Sequence, residues 1–163
     1  MNFELSWHLA WIHHIELDPY HDLIKCPLPS EIGLLTKLTE LSFNYDYGGS
    51  SALAGTIPFS LSMLTGLWTL DLGNNQLSGP IPSSLSNLSA LGALLLGSNQ
   101  LSGSVPSSLS NLLQLRLLDL SNNVLTGSIP ESLSNLTQLN SFNLSNNWLD
   151  RVHSGVLFQR SPQ

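Results

Sequence analysis

Five aliphatic-proline dipeptides punctuate the chain, at Leu28-Pro29, Ile57-Pro58, Ile81-Pro82, Val105-Pro106 and Ile129-Pro130, with steps of 29, 24, 24 and 24 residues. A period of this length means that one supersecondary unit is used repeatedly, and such units bury their apolar faces only by stacking into a solenoid. In the unit that begins at Ile81, apolar residues fall at Leu85, Leu88, Leu91, Leu94, Leu96 and Leu101, with Asn99 and Gly103 at set offsets. The next unit repeats the pattern through Leu109, Leu112, Leu115, Leu118, Leu120, Asn123, Leu125 and Gly127. Leucines three apart suit a short helical or 3₁₀ segment, whereas a Leu-x-Leu pair has the period of two that a strand requires. Each coil is therefore expected to run strand, turn and short helix, with the strands of successive coils aligned in a parallel sheet along one wall.

Polar residues recur as regularly as the leucines. Asn75, Asn99, Asn123 and Asn147 follow the strands, where the chain turns inward and its main-chain groups need partners. A side-chain amide carries donors and acceptors together, so a column of asparagines is expected to satisfy successive turns. The Gly ahead of each aliphatic-Pro step permits a tight bend, and the Pro presets φ for the segment that follows.

The segments LWTLDLGNNQLSGPIP, LGALLLGSNQLSGSVP and LRLLDLSNNVLTGSIP fit L-x-x-L-x-L-x-x-N-x-L-x-G-x-I-P, which resembles the plant-specific leucine-rich repeat over roughly residues 28 to 149. That family includes receptor-like kinase and receptor-like protein ectodomains and inhibitors of pathogen polygalacturonases. The resemblance implies a second short strand near each G-x-I-P. It also implies an α/β solenoid: a right-handed leucine-rich repeat superhelix with a parallel sheet on its concave face and short 3₁₀ or helical segments on its convex face.

Composition removes several partners and chemistries. Five Lys plus Arg against eleven Asp plus Glu give a formal charge of −6, which supplies no basic stripe for nucleic acid or anionic membranes. The single cysteine, Cys26, excludes an intrachain disulfide framework and a cysteine-based zinc site. No run approaches the roughly 18 apolar residues of a membrane span. The opening MNFELSWHLAWIHH lacks the basic region and small-residue cleavage site of a signal peptide, although the resemblance implies an extracellular or cell-surface setting.

The ends depart from the repeat. Leu9, Ile12, Ile15 and Leu17 keep the spacing of Leu88, Leu91, Leu94 and Leu96, so residues 1–27 read as a degenerate N-terminal capping coil. Residues 28–149 hold about five repeats, and 150–163 form a closing segment in which His153 stands where the proline would be. The first full coil carries five extra residues within NYDYGGSSAL, expected to bulge as a surface loop, with Tyr45, Asp46 and Tyr47 as candidate contacts.

Catalytic chemistry finds little support. His8, His13, His14 and His21 lie among acids but in no recognised ligand spacing, so no metal is expected. Asp71 and Asp119 share a sheet column two coils apart, near 10 Å at ~4.8 Å per strand. This approaches the separation of an inverting glycosidase pair, yet Leu95 intervenes, so they read as surface acids. Sequons at Asn87, Asn135 and Asn143 are candidate glycosylation sites, two of them produced by the repeated S-N-L-[ST] phrase itself.

The expected function is a protein- or peptide-binding module, a receptor-like recognition or signalling and defence scaffold rather than an enzyme, with no cofactor. The alternatives are an ice-binding or stress-protective repeat protein and a non-catalytic inhibitor of a secreted glycan hydrolase. The expected ligand surface is the concave sheet face at Trp68, Asp71, Leu95, Arg116, Leu117 and Asp119, where apolar anchors sit beside charged groups. Six strands present roughly 350 Å², less than half of the ~800 Å² per partner of a standard interface. The partner is therefore a protein, a short peptide or a glycan, engaged by a monomer or by chains associated end to end.

Overall fold

The 24-residue spacing becomes one turn of a solenoid per repeat, seen in a computed structural model that describes residues 14–16, 27–44 and 53–150. One wall is a six-stranded parallel sheet of β1 (His14–Glu16), β2 (Glu40–Ser42), β4 (Thr69–Asp71), β6 (Ala93–Leu95), β8 (Leu117–Asp119) and β10 (Ser141–Asn143), in that order. The register sets Ile15, Leu41, Leu70, Leu94, Leu118 and Phe142 in one row across it. A second parallel sheet holds β3 (Ala54–Thr56), β5 (Gln76–Pro80), β7 (Gln100–Gly103), β9 (Val124–Gly127) and β11 (Trp148–Leu149) in succession. Beyond β1, the expected cap lies outside the described residues, as do the Tyr45 to Tyr47 loop and the closing segment past residue 150.

The third side of each coil is a five-residue 3₁₀ turn: Ser30–Leu34, Phe59–Met63, Ser83–Asn87, Ser107–Asn111 and Glu131–Asn135. Leucine spacing of three suits this tighter helix. The preceding prolines, Pro29, Pro58, Pro82, Pro106 and Pro130, hold φ between −63° and −70°, so each turn starts from a preset backbone. Gly103, where the second sheet hands over to the next turn, has φ +77°, a conformation costly for any residue with a Cβ.

The leucine columns form one continuous core. Leu85, Leu88, Leu91, Leu94, Leu96 and Leu101 are completely buried, each contributing about 1.5 to 3 kcal/mol of apolar transfer. The last coil is looser: Leu139, Phe142, Leu144 and Leu149 are only partly buried against the core.

Asparagines close the wall between the two sheets. Asn99 Oδ1 accepts the Leu77 N–H at 2.9 Å, and its Nδ2 donates to the carbonyls of Leu72 (2.9 Å), Leu96 (3.1 Å) and Gly97 (3.3 Å). Asn75, Asn123 and Asn147 repeat this arrangement on the neighbouring coils. The column expected from sequence is thus a ladder that serves main-chain groups which would otherwise be buried without partners.

Candidate functional site

Period-two alternation turns two columns of the six-stranded sheet away from the core: Glu40, Thr69, Ala93, Leu117 and Ser141, then Ser42, Asp71, Leu95, Asp119 and Asn143. A third column, Thr39, Trp68, Gly92, Arg116 and Asn140, lies at the bend where each strand begins. The six residues singled out from sequence occupy this one strand face. Trp68 is 45% exposed and Leu117 40%, whereas Ala93 between them is buried.

Trp68 and Arg116 belong to coils separated by the coil of Gly92, yet their side chains meet. The benzene edge of the indole lies over Gly92, where a methyl group would come within 2.6 Å of two ring carbons. The Arg116 guanidinium carbon is 5.6 Å from the indole centroid, within range of a cation–π interaction. Gly92 is therefore the seat of this pair, a role the sequence reading missed. A glycine one coil on from an exposed tryptophan, in the same column, is the signal that could have found it.

The central column is more constrained than isolated surface acids would be. Asp71 Oδ1 accepts the Gly73 N–H at 3.0 Å, Asp119 Oδ1 accepts both the N–H (2.9 Å) and hydroxyl (2.6 Å) of Ser121, and Asn143 Oδ1 does the same for Ser145. Each side chain thereby caps the turn that follows its own strand. Asp71 Oδ2 also accepts the Asn44 amide at 3.0 Å, and Asn74 Nδ2 donates to Asn44 Oδ1 at 2.9 Å. The Asp119 carboxylate lies over Gly97, where a Cβ would come within 3.1 Å of both its oxygens. Between the two acids is a depression of about 110 Å³, lined also by Leu95, Gly97 and Ser98 of the intervening coil and by Asn44, Gly73 and Asn74.

The three sequons occupy different settings. Asn87 and Asn135 are exposed at the ends of their 3₁₀ turns, while Asn143 is half-buried and its amide oxygen is engaged by Ser145. Among the described residues no group of His, Cys, Asp and Glu is placed to hold a metal ion, and no helix is long and apolar enough to cross a membrane.

The Leucine Rich Repeat family model matches residues 66–88, 91–112 and 114–136. Among solved structures, the Arabidopsis receptor kinase HAESA in complex with the peptide hormone IDA and the co-receptor SERK1 is 43% identical, over 77% of this chain and 20% of that chain, with a TM-score of 0.70. The BIR3–SERK2 complex from Arabidopsis thaliana is 36% identical, over 79% of this chain and 69% of that chain, at 0.63. A plant ice-binding protein is 36% identical, over 77% of this chain and 39% of that chain, at 0.69. The chain spans between 14% and 39% of the length of four of the solved chains it matches. Among curated proteins there is no significant match.

Proposed function

Because the chain belongs to the plant-type leucine-rich repeat family, we propose that it is a protein- or peptide-binding module that works by presenting its strand face to a partner. The observation that carries this reading is the pairing of Trp68 with Arg116 across Gly92, beside exposed Leu117, on a face that is small and polar apart from half-buried Leu95. Aromatic and arginine side chains concentrate binding energy, and a rigid wall of paired strands holds them without the ordering cost of a loop. The complexes of the HAESA and SERK2 structures with peptide and protein partners support the same use of the scaffold. The test is a pull-down followed by affinity measurement on the recovered partner. Trp68→Ala and Arg116→Ala should each weaken binding by more than ~1 kcal/mol, while Ser107→Ala on the 3₁₀ side should leave it unchanged. Equal and negligible effects, with circular dichroism unaltered, would remove the strand face as the site.

The second sheet favours another reading, a stress-protective protein that binds ice. Half-buried Ser78 and Ser102 and exposed Thr126 hold one position of successive coils, and exposed Thr56, Ser104 and Ser128 hold a second that Pro80 interrupts. These hydroxyls recur along a rigid wall of parallel strands, a repeated polar surface that suits ordered water. The likeness to a plant ice-binding protein at 36% identity supports this reading. Inhibition of ice recrystallisation by the pure chain, abolished by Ser102→Tyr, is the expected result. Absence of inhibition at high concentration eliminates it.

A further inference from the structure

The strand face is not level. The coil of Gly92, Ala93, Leu95 and Gly97 carries small side chains or none except at Leu95, while the coils on either side carry Trp68 and Asp71, and Arg116, Leu117 and Asp119. A trough therefore runs along β6 rather than across the strands. The Trp68–Arg116 pair bars one end, and the depression of about 110 Å³ between Asp71 and Asp119 occupies the other.

We infer that this trough takes a partner segment bearing a lysine or arginine side chain, with the aliphatic stem on Leu95 and the cation between Asp71 and Asp119; the inference rests on the strand-face reading above. Charge complementarity is the first ground. Residues 27–44 and 53–150 carry six carboxylates, Glu31, Glu40, Asp71, Asp119, Glu131 and Asp150, against Lys37 and Arg116, a balance of −4. Arg116, the one cation of the trough walls, is held at the far end by Trp68. Asp119 Oδ2 accepts no hydrogen bond among the described residues, and Asp71 keeps lone pairs beyond its bonds to Gly73 and Asn44.

Shape is the second ground. The two acids belong to strands two apart, ~10 Å at the usual spacing, too far to enclose one metal ion at bonding distances of about 2.0–2.6 Å. A guanidinium or ammonium group reaches outward with several donors, and its stem covers apolar surface while the charge stays wet. Half-buried Leu95 offers that surface between the acids. An acidic or uncharged side chain would leave both carboxylates uncompensated in the depression.

The experiment pans a displayed library of random twelve-residue peptides on the full chain, on the double variant Asp71→Asn/Asp119→Asn, and on Trp68→Ala and Leu117→Ala. Both Asn replacements keep the turn caps, since Asn143 already caps Ser145 in the same geometry. Peptides selected on the unaltered chain should carry Lys or Arg beside apolar residues. Their affinity should fall about fivefold for each carboxylate removed, the upper end for a partly exposed ion pair, and the fall should shrink at high salt. Selected peptides with no basic preference, or a basic preference that survives in the double variant, would overturn this inference while leaving the strand face in place if Trp68→Ala and Leu117→Ala still abolish binding. Binding indifferent to Trp68 and Leu117 would instead remove the strand face, and no selection on the unaltered chain would overturn both.

Discussion

Two asparagine columns run side by side along the solenoid, one residue apart in sequence, and they answer to different forces. The inner column, Asn75, Asn99, Asn123 and Asn147, is unbroken, and each amide serves main-chain groups at the turn between the sheets. The outer column, Asn74, Ser98, Asn122 and Asn146, faces solvent to varying degrees, and all four residues have φ between 53° and 56°. Asn146 bonds Asn122 within it, Asn74 bonds Asn44 of the preceding coil, and the run is interrupted at Ser98, beside the depression. The inner position selects asparagine because no other side chain supplies one acceptor and two donors there without leaving a buried group unpaired. At the outer position the demand is only a tolerable left-handed backbone, which asparagine meets better than most residues and serine less well.

Breaking the inner column should have the largest effect. Asn99→Leu strands the Leu77 N–H and leaves the Leu72 carbonyl with the Asn75 amide alone, and should cost about 2 kcal/mol in chemical denaturation. A cost within error of zero would mean that water replaces the amide and that the two columns are equivalent. Asn122→Ala, on the outer column, should cost about 1 kcal/mol, arising from φ 53° rather than from lost bonds. An equal loss in Asn122→Gly, which relieves the backbone, would show that the side-chain bonds matter after all. The smallest effect is a gain: Ser98→Asn should stabilise by roughly 0.5 kcal/mol by suiting the left-handed residue, and a loss would show that Ser98 is retained for packing.

The contrast also marks what the sequence discloses. Leu85, Leu88 and Leu91 recur three apart and Leu94 and Leu96 two apart, so the 3₁₀ turn, the strand and their order in the coil are legible before any coordinates. The duty of Asn99 is legible for the same reason, since a polar residue at a fixed place in an apolar repeat must satisfy something buried. Period two likewise sets Asp71, Leu95, Leu117 and Asp119 on one face. What pattern does not convey is how side chains on that face meet. That Trp68 reaches over a residue with no side chain to find Arg116, and that Asp71 and Asp119 cap their own turns, are matters of rotamer and neighbour two coils away.

The inner ladder also gives the solenoid a direction in time. The Leu77 N–H is satisfied by Asn99, 22 residues later, and Leu101 and Leu125 wait in the same way for Asn123 and Asn147. A chain emerging from the ribosome cannot finish one coil until most of the next has been made, a lag of roughly one to four seconds at ordinary synthesis rates. Growth is therefore completed from behind: the newest coil always holds an open donor, and each added asparagine seals the coil before its own.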